Sequence, residues 1–249
     1  ATVNLGECTP GTTVYIHIRP VDNAGNIGEE FVQEIEIPDN ESYFDLPYAL
    51  FASEEEVQLF CCQADVKGIV YGNETFRFQG STLNLLGTAY SAGKLQIAGG
   101  DLHIAEKIEN ASQIELPNYM TDILDNMKQN TGIEEIAEYN MANVTNPTIC
   151  KTTTRAWCNR VNIFADLVSN GDISFNANVM TLGYKDPVVI ASENGDITIQ
   201  ATNVNGNGLI YAPNGTVTIN VCDFDYKGSI IAKKINIQAT YYQHKIEDK

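Results

Sequence analysis

Three short segments in the C-terminal third of the chain repeat one alternation of apolar and polar residues. They span residues 197–201, 217–221 and 235–239, and each has a β-branched apolar residue at its first and third positions. A period of two predicts strands with one buried face. Successive segments begin 20 and then 18 residues apart. A repeat this short cannot fold alone, so we expect it to stack on its own copies.

The same alternation occupies equivalent positions earlier in the chain. It occurs at residues 57–60, 76–79, 95–98 and 173–176, and the first three copies begin 19 residues apart. Most copies are followed by a second apolar strand that begins at or near a glycine. Glycine suits tight corners that require positive φ. We therefore predict an all-β protein, namely a right-handed parallel β-helix, or solenoid, of about seven coils.

The first 39 residues have a different pattern. Alternating segments at 12–20 and 31–37 flank an Asn/Gly-rich turn at 22–26, which predicts a β-hairpin. The sequence of residues 15–26 resembles the last two strands of the bacterial immunoglobulin-like and fibronectin-type modules found in tandem on surface proteins. We predict a hairpin, the remnant of an immunoglobulin-like module, at 1–39 and the β-helix at 40–249.

Residues 117–160 interrupt the repeat. Pro117 fits a first helical turn, and an apolar stripe at i, i+3, i+4 and i+7 follows it. The members of this stripe are Met120, Ile123, Leu124 and Met127, and Ile133, Ile136, Ala137 and Met141 extend it. We predict an α-helical insertion that packs along the solenoid. A loop closed by a disulfide between Cys150 and Cys158 is predicted to follow the helices.

The remaining cysteines are Cys8, Cys61, Cys62 and Cys222. Cys62 and Cys222 share one repeat offset but lie five or more coils apart, so we expect no disulfide between them within one helix. Cys8 pairing with Cys61 or Cys62 is one open alternative, and burial of the unpaired thiol is another. No CxxC pair suggests zinc, and we predict neither a metal nor a cofactor.

Charge and composition narrow the possible partners. The chain has 249 residues and a formal net charge of −17, from 32 acidic and 15 basic residues. This charge argues against nucleic acid and anionic membrane surfaces, and against acidic polysaccharides unless a cation bridges the charges. No apolar run approaches the about 20 residues that a membrane span requires. Low lysine and arginine, with abundant Asn, Thr and Gly, indicate a bacterial protein that is secreted or displayed on the cell surface.

Two long stretches carry a resemblance to a known class of proteins. Residues 95–119 and 208–232 resemble β-helical surface proteins of Gram-positive bacteria, of the adhesin or pilus-like type. In that class the rod is a surface module, often beside immunoglobulin-like repeats. The resemblance implies no catalytic motif, so no catalytic residue is carried over.

Four residues of the insertion are the candidate ligand contacts: Trp157, Arg155, Tyr119 and Tyr139. Trp and Arg dominate binding hot spots, although a half-buried Trp is equally ordinary packing. We expect a non-enzymatic cell-surface module that binds an extracellular host ligand, either a glycoprotein or an immunoglobulin-type protein.

Two other functions stay open. A polysaccharide-cleaving enzyme would need paired carboxylates on one face, and neighbouring coils supply candidates. They are Asp166, Asp172, Asp186 and Asp196. The other alternative is a structural spacer of a surface appendage that binds no ligand, which would show an even polar surface.

Overall fold

A computed structural model of the chain describes residues 13–18, 28, 31–36, 46–129, 134–137, 142–183 and 186–246. The chain divides into two units, residues 1–42 and 43–249. In the first unit, β1 (Thr13–Ile18) pairs antiparallel with β2 (Phe31–Glu36), and Thr13 lies opposite Glu36. The two alternating segments of the N-terminal region therefore pair as the predicted hairpin strands.

The second unit is built almost entirely from parallel strands. Its strands are β3 (Tyr48–Ala52), β4 (Val57–Lys67), β5 (Ile69–Gly72), β6 (Thr75–Ser91), β7 (Lys94–Ala98), β8 (Asp101–Ile108), β9 (Glu134–Ile136), β10 (Asn143–Val144), β11 (Thr148–Cys150), β12 (Thr154–Ile163), β13 (Leu167–Ser169), β14 (Ile173–Leu182), β15 (Val188–Ser192) and β16 (Ile197–Lys245). One helix, α1 (Met120–Gln129), is present in the described residues. The all-β class and the solenoid-like parallel pairing are confirmed.

Each level of the stack contains three strand stretches, and we call such a set a rung. In the rung of residues 48–67, β3 forms the first face, 57–61 the second face and 63–67 the third face. Pairing of β4 with β6 skips Cys62 and Ser81, where the chain turns the corner between the second and third faces. A residue of another rung is assigned to the same face as the residue with which it pairs. Val57, Phe76 and Leu95 therefore occupy one column.

The core is the stack of inward side chains from all three faces. Along β4 the buried residues alternate, and the alternation shifts phase where Cys62 and Gln63 are both exposed. Columns of Ile, Val, Leu and Phe result, and most of their members are fully buried. Each Å² of apolar surface buried in such columns contributes about 25 cal/mol to folding. This contribution stabilises repeats that are individually too short to fold.

The rungs do not stack in the order of the sequence. The last stretch of β16 pairs with β4, from Ile235 opposite Val57 to Lys245 opposite Lys67. Ile230 of the same strand lies opposite Leu50 of β3. The stack therefore runs from residue 134 to 245 and continues from 48 to 108. We call the pairing of 228–245 with 48–67 the seam.

Charged side chains reinforce the seam at its corner. Lys233 Nζ lies 3.0 Å from Glu54 Oε2, and Lys234 Nζ lies 3.2 Å from Glu56 Oε1 and 3.4 Å from Glu55 Oε2. Backbone amides cross the same boundary, because Ser53 N donates to Ala232 O at 2.8 Å. Each partly exposed ion pair contributes at most about 1 kcal/mol. The apolar columns and the backbone ladder therefore hold the seam.

The separation predicted for Cys62 and Cys222 is wrong. Cys61 lies opposite Ala239, and the Phe224 ring stacks on the Tyr242 ring with centroids 5.1 Å apart, one rung away. Cys222 is therefore two rungs from Cys62, on the order of 10 Å. The prediction assumed that rungs follow sequence order, which the seam breaks. Both are exposed free thiols, too far apart for a direct disulfide.

A return segment, residues 109–129, connects the two ends of the stack across the first face; we call it the strap. Ile123 and Met127 of α1 pack with Val168 and Ala191, as the predicted helix packing along the solenoid requires. Nearer the seam, Tyr71 Oη accepts a hydrogen bond from Ile114 N at 3.0 Å. The strap thus touches rungs on both sides of the seam.

The predicted insertion is too long at its C-terminal side. Ile136 lies in β9 opposite Cys150, and β10 and β12 align with β12 and β14 respectively. The apolar spacing at 133–141 therefore does not continue the helix where the structure describes it, at 134–137. Residues 143–163 are ordinary rungs because their alternation pairs in parallel with the strands that follow.

The predicted disulfide between Cys150 and Cys158 does not form. Cys150 is buried on the first face, where its Sγ lies 3.1 Å from Thr153 O. Cys158 lies at the end of the second-face stretch of β12, where its Sγ lies 2.9 Å from Arg160 O. Both are free thiols. Residues 151–157 do not form a closed loop, because most of them belong to a strand that holds the two cysteines on different faces.

Replacing Ile123 with alanine is expected to lower the free energy of unfolding by about 2–4 kcal/mol, because its side chain is fully buried between α1 and the first face. Urea unfolding followed by circular dichroism measures the change. The exposed Thr121 on the same helix supplies the control, and Thr121→Ala is expected to leave stability unchanged or slightly higher. Equal losses in both variants would contradict packing of α1 on this face.

Candidate functional site

The first face is closed to ligands because the strap covers it. Its outward side chains, including Phe51, Tyr211 and Ile231, are buried with residues of the strap. Tyr119 is only 4% exposed, and its backbone N–H donates to Tyr211 Oη at 3.1 Å. Burial raises the pKa of Tyr211 to about 12. The prediction that Tyr119 contacts a ligand is therefore wrong, because this residue packs the strap against the stack.

Three of the four carboxylates considered for glycan cleavage accept backbone hydrogen bonds at the corners of successive rungs, and Asp186 is not among them. Asp166 Oδ1 accepts a hydrogen bond from Val189 N at 2.8 Å, Asp172 Oδ1 accepts from Asp196 N at 2.9 Å, and Asp196 Oδ1 accepts from Thr216 N at 2.7 Å. Burial raises the pKa of Asp166, and the Val189 hydrogen bond opposes that rise. Each acceptor satisfies a backbone donor that a corner leaves without a ladder partner.

The second face carries two of the predicted ligand contacts. Arg155 and Trp157 are alternate residues of β12, both point outward, and Trp157 is 76% exposed. Asn176 of the next rung lies opposite Trp157, and its Nδ2 donates to Gln200 Oε1 at 3.2 Å. A polar ladder therefore extends from the tryptophan. Tyr139, the fourth predicted contact, lies outside the described residues.

The third face contains a depression of about 360 Å³, which sequence reasoning missed. We call it the groove, and its outward lining residues are Val179, Thr181, Asn203, Asn205, Asp223, Asp225, Tyr241 and Gln243. A smaller depression of about 180 Å³ shares Asp225 and Gln243 with it and reaches Asp65 and Asn84 across the seam. Because rung order cannot be read from the repeat, nothing in the sequence indicated that Asp65 and Asn84 lie beside Asp225 and Gln243.

Amides and carboxylates pair between rungs along the groove. Asn205 Nδ2 lies 3.5 Å from Asp225 Oδ2, and Asn203, with its amide nitrogen facing Asp223, donates to Asp223 Oδ2 at 2.9 Å. Asn84 Nδ2 donates to Asp65 Oδ1 at 3.3 Å. Each primary amide has a second N–H and a carbonyl oxygen. The lining therefore offers both donors and acceptors at fixed spacing.

A buried aromatic cluster forms the floor beneath the groove. The rings of Phe224 and Tyr242 stack with an interplanar angle of 4°, and Tyr226 packs beside them. His244 Nε2 lies 2.8 Å from Gly228 O and its Nδ1 lies 2.6 Å from Tyr242 Oη. Since the carbonyl only accepts, Nε2–H donates to it and Nδ1 accepts from the tyrosine. This network fixes the backbone that carries Tyr241 and Gln243.

Acidification is expected to weaken the fold through His244. Burial lowers the pKa of His244 from 6.5 to about 4. The unfolded chain takes up a proton below about pH 6.5, whereas the folded chain resists until about pH 4. The free energy of unfolding therefore decreases as the pH is lowered from about 6.5 to about 4, by on the order of 3 kcal/mol in total.

Urea unfolding at several pH values measures this loss in the parent chain and in His244→Gln. The variant is less stable at neutral pH but lacks this part of the pH dependence. The exposed His103, whose Nε2 lies 3.0 Å from Asp101, supplies the control position. If His103→Gln flattens the profile as much as His244→Gln does, the buried imidazole is not the source.

Comparison with protein-family models, curated proteins and solved structures gave no match. Across the described residues, no helix has the length and apolar character needed to cross a membrane. Within the same residues, no group of three or more His, Cys, Asp or Glu side chains is placed to hold a metal ion. Fold and site together define a solenoid-like parallel-β protein with a polar groove.

Proposed function

We propose that this chain is a non-enzymatic module of the bacterial cell surface that binds an extracellular host ligand, either a glycoprotein or an immunoglobulin-type protein. The solenoid is a right-handed parallel β-helix of about seven coils, comparable to the adhesin and pilus-like rods that residues 95–119 and 208–232 resemble. Parallel pairing of the rungs supports this architecture.

The observation that carries the proposal is the contrast between covered and open faces. The strap buries the outward side chains of the first face. The second and third faces instead present Trp157, Arg155 and the groove residues in rows fixed by backbone pairing. Rigid rows of aromatic, amide and charged groups suit recognition, because little conformational entropy is lost when a ligand binds.

Two further features support the proposal. Asp166, Asp172 and Asp196 accept backbone hydrogen bonds at corners, which favours a structural role for them over paired acid–base catalysis. The net charge of −17 favours proteins and neutral glycans over nucleic acid and anionic lipid as partners. The composition, poor in lysine and arginine, favours an extracellular location.

Capture from host secretions and serum tests the proposal. The immobilised chain is compared with Trp157→Ala/Arg155→Ala on the second face and Tyr241→Ala in the groove. Asp125→Ala, on the exposed side of α1, is the control. We expect the parent and control to retain the same host protein and at least one face variant to lose it. Equal background retention by all four proteins would overturn the binding function.

Deleting residues 118–160, most of the predicted insertion, is not a suitable substitute for these point variants. Residues 143–163 form strands β10, β11 and β12, so their loss would unfold part of the stack. Point changes at outward positions avoid this problem, since exposed side chains contribute little to stability.

A further inference from the structure

We propose that the groove binds the neutral oligosaccharide chain of a glycoprotein or polysaccharide, with Tyr241 as its stacking platform. The inference rests on the proposed binding function and assigns it a site and a ligand class. Asn203, Asn205, Asp223, Asp225 and Gln243 supply the polar contacts.

The shape of the third face fits a linear ligand. The groove and the smaller depression join at Asp225 and Gln243, so one continuous trough runs along the stack from Val179 to Asn84. That path crosses six rungs in spatial order, roughly 24 Å at about 4.8 Å per step. The groups differ from step to step, with amides and carboxylates in the groove and two lysines and a leucine in the smaller depression. A chain molecule of several linked units can contact successive steps at once.

The chemistry of the lining matches sugar hydroxyls. A hydroxyl donates one hydrogen bond and accepts others, and the paired amides and carboxylates provide both partners. Asp223 and Asp225 accept from Asn203 and Asn205 within the protein, which orients them before a ligand arrives. Tyr241 is 54% exposed at the edge of the groove. Its ring offers an apolar face to the C–H side of a sugar ring.

Charge selects among glycans. Asp65 lies farther along the trough with Lys67 and Lys245, whereas Asp223 and Asp225 lie side by side in the groove, whose lining has no basic residue. Carboxylates so placed repel uronic and sialic acids and leave neutral sugars unaffected. A basic peptide would also suit the carboxylates. The amides that pair with them and the exposed tyrosine favour the neutral sugar.

The strand that carries Tyr241 and Gln243 is held in place before a ligand binds. Tyr242 and His244 alternate with Tyr241 and Gln243 on one strand, and their side chains are locked in the aromatic floor. The outward residues therefore start from a fixed backbone. Binding to a preformed site costs less ordering than binding to a loop.

Affinity electrophoresis in gels containing soluble glycans tests the inference. The neutral probes are yeast mannan, galactomannan and desialylated mucin, and the acidic probes are polygalacturonate and sialylated mucin. Fluorescent oligolysine is the cationic peptide probe. We expect at least one neutral glycan to retard the parent chain and no acidic one to do so. Tyr241→Ala is expected to weaken retardation about tenfold or more, and Tyr241→Phe to preserve it.

Matched changes separate the groove from the rest of the surface. Phe164→Ala removes an exposed aromatic that lies outside the groove and is expected to retain full glycan binding. Asp223→Asn/Asp225→Asn is expected to admit acidic probes, because it removes the repulsion. Circular dichroism and thermal unfolding verify that each variant keeps the fold.

Three results would overturn the inference: no retardation by any neutral glycan, loss caused by Phe164→Ala but not by Tyr241→Ala, or binding of oligolysine alone. If host-protein capture persists in any of these cases, the proposed binding function stands and only the site and ligand class are wrong. If capture also fails, both are wrong.

Discussion

Replacing Gly208 with alanine is expected to lower the free energy of unfolding by on the order of 4 kcal/mol. Gly208 has φ of +133°, and a Cβ there would lie 1.9 Å from Val188 O of the adjacent rung. Positive φ costs about 1–3 kcal/mol for a residue with a side chain. Forcing apart two hydrogen-bonded rungs costs a similar amount again. Thermal and urea unfolding measure the loss.

Gly100 is the matched control. A Cβ on Gly100 meets nothing closer than Ser81 O at 3.4 Å, and the residue is exposed near the end of the stack. Gly100→Ala is therefore expected to change stability by less than about 0.5 kcal/mol. Comparable unfolding midpoints for the two variants would show that the corner does not exclude side chains. Gly228 lies above Gly208 with φ of +132°, so the same restriction repeats along this corner.

The local alternation of apolar and polar residues was enough to locate the strands of the rungs. The segments 57–60, 76–79 and 95–98 occupy one column, as their spacing predicted, and 197–201 pairs with 173–177. Period-two alternation identifies which side chains enter the core, and that property depends only on neighbouring residues. The stripe at 120–127 likewise predicted α1, because a helix of that amphipathicity requires an apolar surface to cover.

The order of the rungs could not be predicted, for a physical reason. Every rung presents similar backbone ladders and apolar columns on both sides, so rungs from opposite ends of the chain fit as well as consecutive ones. The strap accompanies the observed order, since residues 109–129 run back from the end of β8 across the first face to Val168 and Ala191. The same ambiguity hid the smaller depression, in which Asp225 and Gln243 meet Asp65 across the seam. The groove lies on rungs that follow one another in the sequence, and the pattern of a single strand does not show that a depression forms between rungs.

Misassignment of residues 134–160 has a related cause. The spacing of Ile133, Ile136, Ala137 and Met141 fits a helix, yet Ile136 lies in β9 and pairs with Cys150. A short apolar pattern does not distinguish helix from strand when the neighbouring rung supplies a ladder. The Cys150–Cys158 prediction followed from treating this stretch as a loop, and it failed when the stretch proved to be a strand.

An engineered disulfide is expected to lock the seam and raise stability by on the order of 4 kcal/mol, because it closes a very long loop in the unfolded chain. The variant is Thr240→Cys in a Cys222→Ser background. Cys62 and Thr240 share the corner between Cys61–Ala239 and Gln63–Tyr241, which lie opposite each other. Adjacent rungs place Cα atoms about 4.8 Å apart, within disulfide range. Mild oxidation and peptide mass spectrometry detect the bond between positions 62 and 240.

The control is Thr202→Cys in the same Cys222→Ser background. Thr202 occupies the same corner of the β14–β16 rung and is exposed, but three rungs separate it from Cys62 in the observed order. No disulfide with Cys62 is expected there. If the rungs instead stacked in sequence order, both engineered cysteines would lie far from Cys62 and neither would form the bond. A 62–240 disulfide within one chain therefore requires the seam, and with it the trough that crosses from Asp225 to Asp65.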